Sequence, residues 1–171
     1  MDLGIKGKSA AISGGSQGLG NAIANALADE GCNVAISARG EERLNQAVEE
    51  LLAKGVQAVG IKCDMSTSDG CKSFIEGAVA GLGGLDILVN NVGGMTPGTL
   101  ESLTDEQWSE VLNRNLMAYV WATKYAVEHL GEGAAILNIS GVSGRQLLPG
   151  SLSTTLPNTA IIGFSKVMAG E

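Results

Sequence analysis

Eight residues near the N-terminus, Ser13-Gly14-Gly15-Ser16-Gln17-Gly18-Leu19-Gly20, stand between an apolar run, Ser9-Ala10-Ala11-Ile12, and the helix-like stretch Asn21-Ala22-Ile23-Ala24-Asn25-Ala26-Leu27-Ala28. The order is strand, glycine turn, helix start. Glycine admits positive φ and lets a ligand come close to the backbone, while the unpaired N–H groups of a helix start attract anions. A phosphate-bearing nucleotide is the ligand such a turn fits. A tight turn that binds nothing has the same local sequence, so the rest of the chain must decide between the two.

The chain is 171 residues long, the size of one domain, and 44% hydrophobic against 17% charged, which is the balance of a globular protein with one substantial core. A single domain over 1–171 is expected. With 11 basic and 18 acidic residues the formal net charge is −7, and no Lys/Arg cluster interrupts it, so a nucleic-acid backbone would be repelled. The three cysteines, Cys32, Cys63 and Cys71, are odd in number and lack metal-ligand spacing, and the single histidine, His129, has no thiol near it in sequence. No metal site is expected, and reduced thiols fit a cytoplasmic protein. The first eight residues, Met1-Asp2-Leu3-Gly4-Ile5-Lys6-Gly7-Lys8, hold no signal-peptide core, and no run approaches the roughly 18 apolar residues that would suggest a membrane partner.

Short β-rich runs recur at 10–13, 33–37, 58–63, 85–90 and 135–140, and stretches of helical period follow at 19–30, 41–53, 68–80 and 105–129, with a last one at 160–171. Thr104 or Asp105 is placed to start the long helix, Gly131 to end it, and Gly81-Leu82-Gly83-Gly84 reads as a flexible turn. Regular alternation of strand and helix implies an α/β fold of the Rossmann type, a doubly wound parallel sheet in a three-layer α/β/α arrangement. Ligands of such sheets sit at the carboxyl ends of the strands, and the glycine turn lies at one of those ends.

Asp64 follows the third strand, Asn90-Asn91-Val92-Gly93 closes the fourth, and Asn115 lies seven residues after Trp108 on the long helix. Together with the glycine turn these resemble the classical short-chain dehydrogenase/reductase family, whose turn reads Thr-Gly-x-x-x-Gly-x-Gly and whose fourth strand ends Asn-Asn-Ala-Gly. The resemblance runs from about Lys8 to Glu171, with Ser13 and Val92 as conservative departures. It implies that Gly14, Ser16, Gln17, Gly18, Leu19 and Gly20 line the pyrophosphate and ribose of a dinucleotide. By the same resemblance Asp64 and Met65 flank the adenine, Ser37 and Arg39 stand at the second strand end, and Asn91, Val92, Gly93 and Ile139 border the ribose and strand ends. From the residues alone, Asp64 also reads as a helix cap near Ser66, and Asn90-Asn91 as a turn.

NAD-preferring relatives carry an acidic residue at the end of the second strand, where this chain has Ala38 followed by Arg39. A planar fork of donors suits a 2′-phosphate, so NADP(H) is preferred to NAD(H). One basic residue leaves NAD(H) open, and an exposed arginine paired with Glu41 or Glu42 has the same sequence.

Downstream, Asn138-Ile139-Ser140-Gly141-Val142-Ser143-Gly144 resembles the family's fifth strand and Asn158-Thr159-Ala160-Ile161-Ile162-Gly163-Phe164-Ser165-Lys166 its fifth helix. In that register the catalytic serine falls on Gly141, the tyrosine on Thr154 and the lysine on Asn158, leaving Asn115 alone of the usual four. The family's mechanism needs a phenol whose pKa is lowered by an ammonium, and neither Thr154 nor Asn158 supplies either. Strand alternation turns Ser140 away from the serine position. Tyr119 and Tyr125 read as helix packing or a subunit contact, and by the resemblance Lys124 and Lys166 sit at helix positions that face solvent or a partner subunit.

The last helix stops without a glycine cap, and family members continue with two more strand–helix stretches, so a piece of a longer protein, or completion by another chain, is expected. Three readings follow. The chain is an NADP-dependent oxidoreductase acting on C=O or CH–OH groups of a small molecule with a non-standard active site, a non-redox enzyme or inactive nucleotide-binding subunit on the same fold, or a fragment that binds nothing tightly. By family analogy it forms a homo-oligomer, a dimer or tetramer.

Overall fold

The structure, a computed structural model, describes residues 3–146 and 150–170. Five parallel strands, β1 (Ser9–Ile12), β2 (Asn33–Ala38), β3 (Ala58–Lys62), β4 (Leu85–Asn90) and β5 (Leu130–Asn138), form one sheet in the order β3-β2-β1-β4-β5. The intervening helices are α1 (Gly18–Asp29), α2 (Glu41–Leu52), α3 (Ser68–Leu82), α4 (Asp105–Leu112) and α5 (Ala118–Ala126), and α6 (Leu152–Met168) follows β5. Strand order runs one way through β1, β2 and β3 and then returns to the other side of β1 with β4. Neighbouring crossovers therefore lie on opposite faces and part between β1 and β4, opening a crevice beyond the strand ends.

Alternation along the central strands divides the core in two. Ala11, Ala35 and Leu88 face α3 and α5, packing with Phe74, Ile75, Ala78 and Ala122. Ala10, Ile12, Val34, Ile36, Ile87 and Val89 face α1 and α2, packing with Ala24, Ala28, Leu44 and Leu51. All four residues of β1 are buried, as a strand covered on both faces requires.

Helix ends follow local chemistry. Thr104 starts α4 with a full capping box, its hydroxyl accepting from Gln107 N while the Gln107 side chain accepts from Thr104 N. Gly83, at φ +79°, is the left-handed stop of α3, so the expected flexible turn is an ordered helix end. The long helix expected over 105–129 exists but is not uniform. A π-turn at Asn113–Met117 separates α4 from α5, and α5 ends at Ala126. Gly131 caps nothing: it lies in β5, which begins at Leu130 opposite Leu85 and reaches Ala135 opposite Ile87, a bulge that fits five residues against two. The last helix starts earlier than expected, at Leu152, because Ser151 accepts from Thr154 N and Thr155 N and the turn carries through buried Pro157. Glu171, the expected end of that helix, lies outside the described residues.

Candidate functional site

The glycine turn is held from three sides. The Ser37 hydroxyl accepts from Gly14 N (3.1 Å), and the Ser13 hydroxyl accepts from Asn91 N (2.9 Å) and Val92 N (3.2 Å). Asn91 Nδ2 donates to Ser13 O at 3.0 Å, so Asn91 stitches the end of β4 to the turn, and the alternative of a free Asn90-Asn91 turn is set aside. Asn90 itself is buried at the end of β4, its Nδ2 donating to Thr123 Oγ1 and Asn138 Oδ1. The glycines divide the work. A Cβ at Gly20 would stand 2.4 Å from Gly14 O and one at Gly15 would stand 2.4 Å from Ile36 Cγ2, so both are needed for close packing. Gly18, at φ +59°, has nothing within 4 Å of where a Cβ would be. No side chain caps α1, whose N-cap is Gln17, and the first helical bond is Asn21 N to Gln17 O. The amides of Gly18, Leu19 and Gly20 thus precede the hydrogen-bonded helix, at its positive end.

These elements border a cavity of about 380 Å³ at the carboxyl ends of β1, β2, β3 and β4. Of the residues that the sequence assigns to a dinucleotide, Gly14, Ser16, Gln17, Gly18, Ser37, Arg39, Asp64, Met65, Asn91, Val92 and Gly93 line it. Three do not. Gly20 lies beneath the turn, Leu19 exposes 57% of its side chain to solvent, and Ile139 borders a second, smaller cavity. Backbone amides remain the way in which Leu19 and Gly20 can reach a phosphate. Arg39 is exposed, and its expected partner Glu41 is bound instead to Lys62 at 2.8 Å. Asp64 does not cap α3, a role taken by Thr67, whose hydroxyl accepts from Gly70 N. Asp64 Oδ1 accepts from Ser66 N (3.0 Å) and Ser66 Oγ (2.8 Å), and the backbone donor, aided more weakly by Arg39, holds the carboxyl below its ordinary pKa. Cys63, which sequence reasoning left out, also lines this wall, with burial pushing its thiol up to about 11.

The smaller cavity, about 170 Å³, opens next to the first and shares Asn91, Val92 and Gly93 with it. Asn115, Tyr119, Thr154 and Asn158 complete its polar wall. Asn115 is committed to the loop after β4, its Nδ2 donating to Gly94 O (2.7 Å) and its Oδ1 accepting from Gly94 N (2.9 Å). The Tyr119 hydroxyl donates to Ile139 O at 2.9 Å, and burial raises its pKa well above the ordinary value. Asn158 Oδ1 accepts from Gly141 N (2.9 Å), and its Nδ2 donates to Ser143 Oγ (3.0 Å). Thr154 Oγ1 lies 3.5 Å from Ser143 Oγ and donates to Ser151 O (2.9 Å). Ser140 is not on this wall, and its hydroxyl donates to Asn158 O at 3.1 Å.

Two contributors gain their roles only in the structure, Ser143, which flanks the serine position in the sequence, and Arg114. Ser143 is buried and joins Asn158 to Thr154; it lies in a single 3-10 turn, Val142–Gly144, beyond the end of β5, so strand alternation gives no signal for it. Arg114, next to Asn115, donates to Gly94 O, Thr96 Oγ1 and Glu110, pinning the loop that follows the cofactor-side strand. No sequence pattern announces it. Among the described residues, no group of three or more His, Cys, Asp or Glu is placed to hold a metal, and no helix is long and apolar enough to cross a membrane.

A parallel sheet of this order, with a glycine turn and helix start facing a cavity at the switch point, defines a Rossmann-type α/β protein. The short chain dehydrogenase family profile matches residues 8–171. An uncharacterized oxidoreductase of Methylorubrum extorquens is 35% identical over 168 residues, covering 98% of this chain and 68% of the relative. A 3-oxoacyl-[acyl-carrier-protein] reductase of Staphylococcus aureus is 34% identical, over 96% of this chain and 68% of its own length. Among solved structures, a short chain dehydrogenase from Burkholderia cenocepacia in complex with NADP superposes with a TM-score of 0.93 at 34% identity, over 96% of this chain and 68% of that one. L-sorbose reductase from Gluconobacter frateurii, complexed with NADPH and L-sorbose, gives 0.95 at 33% identity, over 99% of this chain and 66% of that one. The chain belongs to the short-chain dehydrogenase/reductase family.

Proposed function

We propose that the chain binds NADP(H) in the larger cavity and serves an oxidoreductase reaction on a C=O or CH–OH group held in the smaller one, without the proton relay of its family. The residues fit the cofactor. Gly18 leaves open space beside the amides of the helix start, no acidic residue ends β2, and Arg39 borders the cavity where a 2′-phosphate would add two negative charges. NADP and NADPH in the solved relatives support the same choice over NAD(H). When bound, the nicotinamide supplies or accepts a hydride.

One observation carries the active-site reading. Thr154 and Asn158 border the smaller cavity at the positions that resemblance assigns to the catalytic tyrosine and lysine, and the Asn158 carboxamide is bound on both atoms, to Gly141 N and Ser143 Oγ. A carboxamide and an alcohol neither gain nor lose protons near neutral pH, so they can orient a substrate oxygen but cannot set its protonation. Tyr119, the one titratable side chain on that wall among the described residues, is tied to Ile139 O. Water is then the proton source, and the missing acid–base step costs about 10²–10⁴ in rate. Asn115, Gly93 and Gly94 shape the other side of the cavity.

The full bonding of Asn158 equally favours a second reading, an inactive nucleotide-binding subunit or a non-redox enzyme on this fold. NADPH oxidation across a panel of ketones, by the native chain and by a variant carrying Gly141→Ser, Thr154→Tyr and Asn158→Lys together, separates them. Slow turnover that rises by about 10²–10⁴ in the variant supports the oxidoreductase reading. Firm NADPH binding with no turnover in the native chain supports the second, and native turnover equal to or above the variant's overturns the relay-free site.

A further inference from the structure

The wall of the NADP(H) cavity continues around Ser16 and Gln17 into a second hollow of about 220 Å³, bordered also by Asn21, Arg43 and Glu50. Ser16 and Gln17 are the ridge between the two. Arg39 lies on the cavity side of that ridge and Arg43, in the first turn of α2, on the other. Arg43 Nη1 donates to Gln17 Oε1 at 2.6 Å, which places one guanidinium directly against the glycine turn.

We propose that Arg43 is a second reader of the 2′-phosphate of NADP(H), closing on it from the side of Gln17 while Arg39 meets it from the end of β2. The inference rests on the cofactor reading above and adds to it a residue that no motif assigns. Three observations carry it. First, Arg43 has no carboxylate within ion-pair distance among the described residues, and its hydrogen-bond partner there is a neutral amide, so most of its fork of donors remains available. Second, of the acids near the two arginines Glu41 holds Lys62, and neither Glu50 beside Arg43 nor Asp64 beside Arg39 forms an ion pair with them among the described residues. Glu42 is the remaining acid of that helix turn. Third, α2 starts at Gly40 with no side-chain cap, so its positive end, shared with Glu41 and Glu42, follows directly on Arg39 and carries Arg43 in its first turn. Two guanidinium forks on one phosphate give discrimination that Arg39 alone, exposed and singly placed, would not.

The test uses the full chain and two probes that contain only the adenosine half of the cofactor, adenosine 2′,5′-bisphosphate and adenosine 5′-monophosphate, titrated calorimetrically alongside NADPH. Arg43→Leu is expected to weaken the bisphosphate by about tenfold and leave the 5′-monophosphate within about twofold, with Arg43→Lys recovering part of the loss. Equal affinity of native chain and Arg43→Leu for the bisphosphate overturns the assignment. So does an equal loss for both probes, which would make Arg43 a prop for the turn. A native chain that binds neither NADPH nor either adenosine probe overturns the cofactor reading itself, an outcome separate from failure of Arg43.

Discussion

The carboxamide of Asn158 occupies the space beside the Cα of Gly141: its Oδ1 accepts the Gly141 N–H at 2.9 Å, and a Cβ at position 141 would stand 2.9 Å from its Nδ2. The two residues are therefore matched, and a side chain at 141 competes with Asn158 for one volume. Backbone strain plays no part, since Gly141 has φ −82°. Gly141→Ser is expected to displace the carboxamide and cost about 1 kcal/mol, and to cost close to nothing in an Asn158→Ala background. Urea denaturation of the four chains of that cycle measures the coupling. Equal costs in both backgrounds would remove the steric link.

The glycine turn gives a second contrast. At Gly20 an added methyl would meet the Gly14 carbonyl and Asn91 Nδ2, so Gly20→Ala forces the turn itself to move and is expected to cost about 1–3 kcal/mol. Gly18→Ala meets no atom, and its cost is the left-handed φ of +59°, about 1 kcal/mol. Both are expected to abolish NADPH binding, one by moving the amides and the other by filling the space in front of them. Thermal unfolding and NADPH titration on the two variants check both halves.

Tyr119 is expected to stay silent in any pH profile of activity. Burial raises its pKa above that of a free phenol, and its hydroxyl donates to Ile139 O. Because the folded-state pKa exceeds the unfolded value of about 10, the contribution is complete below that pH and fades as pH rises toward the folded-state value. Tyr119→Phe should lose about 1 kcal/mol at pH 7, with the difference shrinking in alkali, and should leave the tyrosinate absorbance of the folded protein at pH 10 unchanged.

Asp86 governs the acid side. Its Oδ2 accepts from Ser9 N at 2.8 Å and its Oδ1 meets Lys8 at 3.1 Å, and the backbone donor, ahead of Lys8, lowers its pKa. The depressed value means stability that is present above the unfolded pKa of about 3.9 and is lost as pH falls through the folded-state value. Asp86→Asn is expected to lower the unfolding midpoint at pH 7, with the gap to the native chain narrowing as pH falls below about 3.9.

How much of this was legible in the sequence follows from where the signals are local. Glycine spacing, the alternation of strands with helices and the Thr104 capping box are contained in short windows, and the sheet, its helices and most of the cavity wall follow from them. Elements set by tertiary pairing were harder to read. Gly131 looks like a helix stop until Leu85 recruits Leu130 across a bulge, and the last helical stretch, expected over 160–171, starts at Leu152 because Ser151 supplies the first turn of α6. The site divides in the same way. Thr154 and Asn158, singled out by register, border the smaller cavity while Gly141 does not, and the partners of Asn158 could not be read because Ser143 and Gly141 meet it across 15 and 17 residues of chain. Arg43 and Arg114 act through contacts to Gln17 and Gly94 that no spacing encodes.

Titration of the native chain with NADPH and NADH, following nicotinamide fluorescence, tests the cofactor site most directly. Saturable binding of one NADPH per chain is expected, with NADH at least about tenfold weaker. No saturation by NADPH, or equal affinity for the two cofactors, would contradict it.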